Sequence, residues 1–508
     1  MEDYLKTPLA KNEDYNFPLG STIVDHPHSV CVSLPTMADI IGYEERDPVI
    51  MRKIYSGYPR FVEHEWILEL RRQVAKSLGV SLDALFLLPS EMAAKDCIQF
   101  VGAEASIQKI DEGWAVVFDA PDPDMRTLAR QFMRHTGCCL SSREAEVAMV
   151  KSGYLSGLWP EERIQNAPMH ALKEIFCGDY PNLSQSDVFL ARGGMNAFYG
   201  AFLAISQIQG AKARHRWIQL GWLYVDTIAI LEKMSGGCFE AFYDVTDLTA
   251  VESYIQQFGD EIAGLVTEIP TNPMVKSADV VRLHQLCREK GIALVLDPSL
   301  LSPRNAPVLA FADVQVCSLT KYFSSAGDVL MGAVALNEAS PFYSELKQCL
   351  PSFLETPCLA DVERLAWSAQ RYEIVGNVIN ANTLELVRFL EMHPSVETVY
   401  WACQADSSEA FHNAGGSAER AGGVFSFTLK SQAISDFYDR LALAKSPSFG
   451  ITVTLVCPFI YLAHYDLITS KEGQSLLEQA NIPPNLIRVS VGTEPIDWLI
   501  QRFESALA

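Results

Sequence analysis

The chain has 508 residues, 49% of them hydrophobic and 20% charged, an ordinary balance for a globular protein of about three domains. Its formal net charge of −22 argues against nucleic acid or an anionic membrane as partner, since both need clustered cations; a small anionic ligand needs only a locally positive pocket. Twelve cysteines are scattered, only Cys138 and Cys139 are adjacent, and neither CxxC nor zinc-type His/Cys spacing occurs, so reduced thiols in a cytoplasmic protein are expected.

Residues 1–28 read as a loosely ordered arm, and its acidic, polar start lacks the basic and apolar pattern of a signal peptide. No run approaches the roughly twenty apolar residues of a membrane span. The best candidate, 449–463, is shorter and contains Pro458. Residues 66–78 carry the spacing of an amphipathic helix, and residues 80–180 mix a strand-like run at 115–118 with helical spacing around 125–133. In FLARGGMNAFYG (189–200) a strand meets a helix through Gly193 and Gly194, a turn whose backbone N–H groups suit a phosphate.

Residues 264–297 spell a strand–helix–strand unit: a strand at 265–267, a Pro-rich turn, then a helix with Val280, Leu283 and Leu286 three apart. Gly291 breaks that helix, and a strand at 292–296 ends on Asp297. Such units put ligands at the carboxyl ends of their strands. A short apolar run at 314–316 then leads into Ser318-Leu319-Thr320-Lys321, and a second follows at 329–336. Burial of Lys321 between two strands would lower its pKa and free the amine as a nucleophile towards carbonyls, with the hydroxyls of Ser318 and Thr320 placed to hold a phosphate. From this stretch alone, an exposed strand-end lysine explains the pattern as well. Asp297 at the preceding strand end changes that balance. A carboxylate at one end of a ring and an imine-forming amine at the other is what pyridoxal 5′-phosphate (PLP) requires.

Residues 361–392 have helical spacing, including Leu384, Val387 and Leu390, and would join a large domain to a small one. Residues 394–508 alternate strands and helices, with a strand at 422–429, a helix at 431–443 and the run IRVSVGTE at 487–494. Arg488 inside that apolar run needs an anionic partner, either a bound carboxylate or a protein acid.

The segments TEIPTNP…LVLD and SLTKYFSSAGDVLMGAV resemble the signature of the cystathionine gamma-synthase family, PLP enzymes of cysteine and methionine metabolism, and the resemblance runs from about residue 29 to the end. The SVCVSLPT and GYEE pieces resemble a longer, fungal-type branch. The resemblance implies an α/β fold, the PLP-dependent transferase fold type I, with a mostly parallel sheet in a large domain and a smaller α/β C-terminal domain. Its divisions would be an arm at 1–80 reaching the neighbouring subunit, an atypical insertion at 81–180, a cofactor domain at 181–375 and a small domain at 376–508. It implies that Lys321 bonds the cofactor, Asp297 holds the pyridine nitrogen, and Tyr224 stacks on the ring and serves catalysis. Asn272 would contact the phenolic oxygen. Gly194, Met195, Ser318 and Thr320 would hold the phosphate, together with Tyr58 and Arg60 from a neighbouring chain in a homodimer or homotetramer. LPSEMAAKD (88–96) looks like the phosphate turn but reads as a decoy beside 189–200. Arg488 would clamp the substrate carboxylate, with Thr454 in the wall of the substrate site; no metal is implied.

The implied reaction is γ-replacement on an O-activated L-homoserine with a thiol nucleophile. Four departures bear on it: Gly193 replaces a serine, Glu63-His64-Glu65 an Asn-Pro-Thr, Pro298-Ser299 an Asn-Thr, and Val453 a glutamate. They leave open a carbon or nitrogen nucleophile, a lyase cleaving cystathionine or methionine-like substrates, and a catalytically silent interaction protein. Retention of Lys321, Asp297 and Arg488 together argues against the last.

Overall fold

The computed structural model describes residue 15 and residues 17–508 except 56 and 59. Three sheets organise it. The first is antiparallel and three-stranded, in the order β1 (Leu85–Leu88), β3 (Gly113–Phe118), β2 (Ala105–Ile110). The second has seven strands, ordered β4 (Val188–Ala191), β10 (Gly332–Leu336), β9 (Val314–Ser318), β8 (Ala293–Asp297), β7 (Ile262–Glu268), β5 (Arg216–Leu220), β6 (Phe239–Phe242). The third has five, ordered β11 (Val396–Tyr400), β12 (Val424–Leu429), β15 (Ile487–Ser490), β14 (Leu455–Pro458), β13 (Ala444–Lys445).

In the seven-stranded sheet β6, β5, β7, β8 and β9 run parallel, whereas β10 is antiparallel to β9 and β4. Every residue of β7 is buried, which is why Ile-Ala-Gly-Leu-Val-Thr-Glu reads as an apolar run without alternation: helices cover both faces. The crossover to β8 is the helix Val280–Lys290. Asp279 caps its start by accepting from the Arg282 N–H, and Gly291, at φ 65°, ends it in the left-handed region that costs glycine least. Parallel register sets Glu268 opposite Asp297, so the carboxyl ends of β7, β8 and β9 gather Glu268, Asp297 and Ser318 along one edge.

Residues 81–180 do not stand apart. Phe86, Leu88, Phe118, Phe132 and Cys97 share one core with Phe198 and Phe202 of the helix Gly194–Gly210, which lies on the large sheet. Each of those phenyl rings is worth about 1.5–3 kcal/mol when fully buried, so the small sheet is fused to the large domain by its core. The helix expected over 361–392 is two helices, Leu359–Ala369 and Tyr372–Met392. The second spans domains: Tyr372, Val375 and Ile379 pack in the large-domain core, while Leu386, Val387 and Leu390 pack against Phe425, Phe427 and Phe503 of the C-terminal one. The N-terminal segment also lies on the C-terminal domain, with Met37 and Ile40 in its core and the Leu34 N–H donating to the Lys445 carbonyl. Among the described residues, no helix is long and apolar enough to cross a membrane.

Candidate functional site

A cavity of about 710 Å³ opens beside the carboxyl edge of the large sheet. Tyr58, Tyr224, Asn272, Lys321 and Arg488 all line it, and so do Phe449 and Phe459 from the C-terminal domain.

Lys321 follows β9 in a tight turn whose Leu319 and Thr320 N–H groups both donate to the Met331 carbonyl. Its side chain is buried. The ammonium meets only rings, 4.7 Å from the centre of Tyr58 and 4.6 Å from that of Phe449, and no carboxylate or other acceptor among the described residues reaches it. Burial lowers its pKa, Tyr58 and Cys31 oppose the shift, and Arg488 and Arg60 add to it. Asp297 presents the complement: its Oδ1 accepts the Ser299 N–H at 2.8 Å, no cation pairs with it, and burial pushes it up to about 6. Glu268, opposite in register, is raised further by burial and by Asp297, and its Oε1 holds the Tyr224 N–H at 2.5 Å.

Beside them is the expected glycine turn. Gly193, extended at φ −172°, opens the helix Gly194–Gly210 without a side-chain cap, so its first N–H groups have no intrahelical acceptor. The fit to the strand end is close. A Cβ on Gly194 would stand 2.9 Å from the Ser318 Cβ, and one on Gly332 would stand 2.3 Å from the Gly193 carbonyl oxygen; beside Gly193 itself there is open space. Met195 is buried next in the helix. Thr320 differs from expectation in detail: its hydroxyl is tied to the backbone of Met331, accepting that N–H at 3.0 Å. LPSEMAAKD lies away from this turn, where Ser90 caps the helix Glu91–Val101 and donates to Glu355 at 2.6 Å.

Arg488 projects from β15. Its Nη1 donates to Asn272 Oδ1 at 3.3 Å, its Nη2 to the Pro447 carbonyl, and its guanidinium lies 4.6 Å from the centre of the Phe459 ring. Among the described residues it has no carboxylate partner, although a buried guanidinium calls for one. Thr454 is placed elsewhere. It is fully buried, outside the cavity lining, with its N–H and Oγ1–H both donating to Glu494 at 2.7 Å, so it latches two chain segments instead of touching the space where a substrate fits.

Tyr58 and Arg60 reach this chain's own cavity, a different setting from the neighbouring site expected. Arg60 Nη2 donates to the Tyr224 hydroxyl at 2.6 Å, and Nη1 donates to the Arg134 carbonyl at 2.6 Å and to Asp226. Asp226, Arg134 and His135 escaped sequence reasoning. The signal available was an aspartate inside the apolar run WLYVDTIAI, which cannot be buried without cations. His464 was also missed; it lines the cavity, accepts the Trp222 indole N–H on Nε2 at 3.1 Å, and is held down to about 4 by burial and by Arg134.

An amine without an acid and an acid without a cation sit at successive strand ends, with an uncapped helix start beside them. That set fits PLP: Lys321 for the aldehyde carbon, Asp297 for the ring nitrogen, and the Gly193–Gly194 turn with Ser318 for the phosphate.

Comparison with known proteins agrees. The family model described as Cys/Met metabolism PLP-dependent enzyme matches residues 182–508. The chain is 34% identical to the L-2-amino-4-chloropent-4-enoate dechlorinase/desaturase of Streptantibioticus cattleyicolor, over 94% of this chain and 96% of that protein. It is 28% identical to the cystathionine gamma-synthase of Neurospora crassa, over 97% of this chain and 98% of that one. The fold matches the solved cystathionine gamma synthase from Xanthomonas oryzae pv. oryzae in complex with aminoacrylate and cysteine, with a TM-score of 0.56 at 20% identity, covering 67% of this chain and 85% of that one.

Proposed function

This chain belongs to the Cys/Met metabolism PLP-dependent enzymes, and from that premise we propose that it exchanges the γ substituent of an O-activated L-homoserine for a thiol. The observation that supports the reading is the set of unpaired buried charges around one cavity: Lys321, Asp297 and Arg488 each lack the partner that a cofactor and an amino-acid substrate would bring.

Bound PLP supplies the electron sink that lets protons leave Cα and Cβ and lets the γ substituent depart. The protein does the rest. Arg488, its fork steadied by Asn272 and the Pro447 carbonyl, takes the substrate α-carboxylate and fixes which Cα bond faces Lys321. Lys321, kept near neutral by burial, takes the Cα proton and returns it at the neighbouring carbons. Tyr224, with its hydroxyl held by Arg60, provides a flat wall beside the ring position. Phe449 and Phe459 exclude water from the γ carbon. A second substrate held in the remaining cavity would add in an effectively unimolecular step. The twelve free cysteines fit a reducing, cytoplasmic setting.

A second reading has its own support. The similarity to a dechlorinase/desaturase suits loss of a γ-region leaving group without replacement. Purified protein given PLP, acyl-homoserines, a γ-chlorinated amino acid and a panel of nucleophiles decides between them by product mass. Incorporation of a thiol sustains replacement; an unsaturated or 2-oxo product that no nucleophile suppresses transfers the proposal to elimination.

A further inference from the structure

Asp226 has the most crowded ionic environment in the cavity wall. It opens the helix Val225–Met234 and is fully buried. Its Oδ1 accepts from Arg134 Nε at 3.0 Å and His135 Nδ1 at 2.9 Å, and its Oδ2 accepts from Arg60. Burial alone would raise its pKa, but Arg60, His135 and Arg134 hold it at about 2, so it stays ionised. Two of these partners end the helix Pro123–Thr136, which belongs to the segment that shorter relatives were expected to lack. The Arg134 backbone carbonyl binds Arg60 as well, at 2.6 Å.

Arg60 is therefore seized from three sides. Asp226 and the Arg134 carbonyl take one end of its fork, the Tyr224 hydroxyl takes the other, and its guanidinium lies 5.3 Å from the Tyr58 ring and 5.4 Å from the Tyr224 ring. Arg134 stacks on Phe61 at 4.4 Å and pins the residue after Arg60. Tyr58, two residues before Arg60, covers the Lys321 amine. An exposed ion pair would add little to this hold, but here both Arg60 and Asp226 are nearly free of solvent, and removing either leaves the other's charge uncompensated.

We propose that Asp226, Arg134 and His135 are positioning residues through which the segment 81–180 anchors Arg60 from the same chain, fixing the Tyr224 hydroxyl and closing Tyr58 over Lys321. This deepens the PLP reading above and rests on it for the importance of Lys321. The geometry makes the site wall complete within one chain: the arm is received by groups that this chain itself supplies.

The test reads accessibility, not turnover. The full-length chain, stripped of cofactor, is pulsed with a small water-soluble acylating reagent, and modification of each lysine is quantified by peptide mass, with the exposed Lys95 as internal reference. In Asp226→Asn and in Arg60→Gln, labelling of Lys321 relative to Lys95 should rise by roughly 10- to 100-fold, the worth of a charge-assisted hydrogen bond. Asp226→Glu should restore part of the protection, which a merely structural defect would not. In the wild type, Lys321 labelling should be independent of protein concentration, down to concentrations at which the chain is monomeric. If Asp226→Asn fails to fold, Arg60→Gln carries the test, since it leaves Asp226 with Arg134 and His135. Wild-type labelling in the variants, or a rise in wild-type labelling on dilution, overturns the proposal; the latter would mean that a neighbouring chain delivers the arm. Because the readout is one amine in the stripped protein, it can fail while the γ chemistry stands, and the reverse.

Discussion

Two walls of one cavity handle charge in opposite ways. Along the carboxyl edge of the large sheet and across from it on β15, Lys321, Asp297 and Arg488 are buried without counter-ions among the described residues. On the wall built by the N-terminal segment and the helix Pro123–Thr136, every charge is consumed: Asp226 takes Arg60, Arg134 and His135. A buried ion is expensive unless paired, so a protein keeps an unpaired one where a ligand will supply the partner. The first wall is built to be completed from outside, and the second is already complete. That difference separates residues that touch the chemistry from residues that place others.

If this division holds, substitutions on the first wall should damage the reaction far more than they damage the fold. The largest effect belongs to Lys321→Ala, which should lower turnover by roughly 10⁴-fold or more while leaving the thermal transition of the stripped protein unchanged or higher. A rise is expected because an uncompensated buried amine is removed. Arg488→Ala comes next. It should raise KM for the amino-acid substrate by roughly 10- to 100-fold, with a smaller change in kcat, because a charge-assisted pair is lost at a group distant from the bond that breaks.

The pH dependence sharpens the same comparison. Burial disfavours the ammonium of Lys321, so its pKa in the folded chain lies below the ordinary lysine value of about 10.4. In the stripped protein, acylation of Lys321 should therefore reach half its limiting rate at a lower pH than that of Lys95, although its absolute rate is reduced by Tyr58. The linkage has the matching sign: between the folded pKa and the unfolded value the unfolded chain binds more protons, so this group makes the stripped protein more stable as pH rises through that window.

The smallest effect is predicted for Thr454→Val. Glu494 would lose a hydroxyl donor at 2.7 Å, at a cost of about 1–3 kcal/mol, and KM should be unchanged. A change in KM without a loss of stability would move Thr454 back into the substrate wall.

Much of the first wall was legible in the sequence because strand ends are written locally. Apolar runs with a polar stop announce β8 and β9, and the polar stops are the functional residues Asp297 and Ser318. Gly193-Gly194 between a strand and a helix is equally local. Arg488 was legible for a related reason, as a charge inside an apolar strand. The second wall was not, because nothing near Arg60 in sequence indicates that its partners lie 74 and 166 residues away. Thr454 was misplaced for a similar reason: the contact that consumes its hydroxyl is Glu494, 40 residues on and beyond the end of β15. Local pattern reports an element and its boundary, whereas the pairing of charges across a cavity is a property of the fold.

The central claim is that the unpaired Lys321–Asp297 couple is the cofactor site, and reductive trapping tests it most directly. The holoenzyme is treated with borohydride, digested, and searched by mass for the pyridoxyl-phosphate adduct. The account predicts a stoichiometric adduct on the peptide carrying Lys321 and its loss in Lys321→Ala; an adduct of similar yield on any other lysine would contradict it.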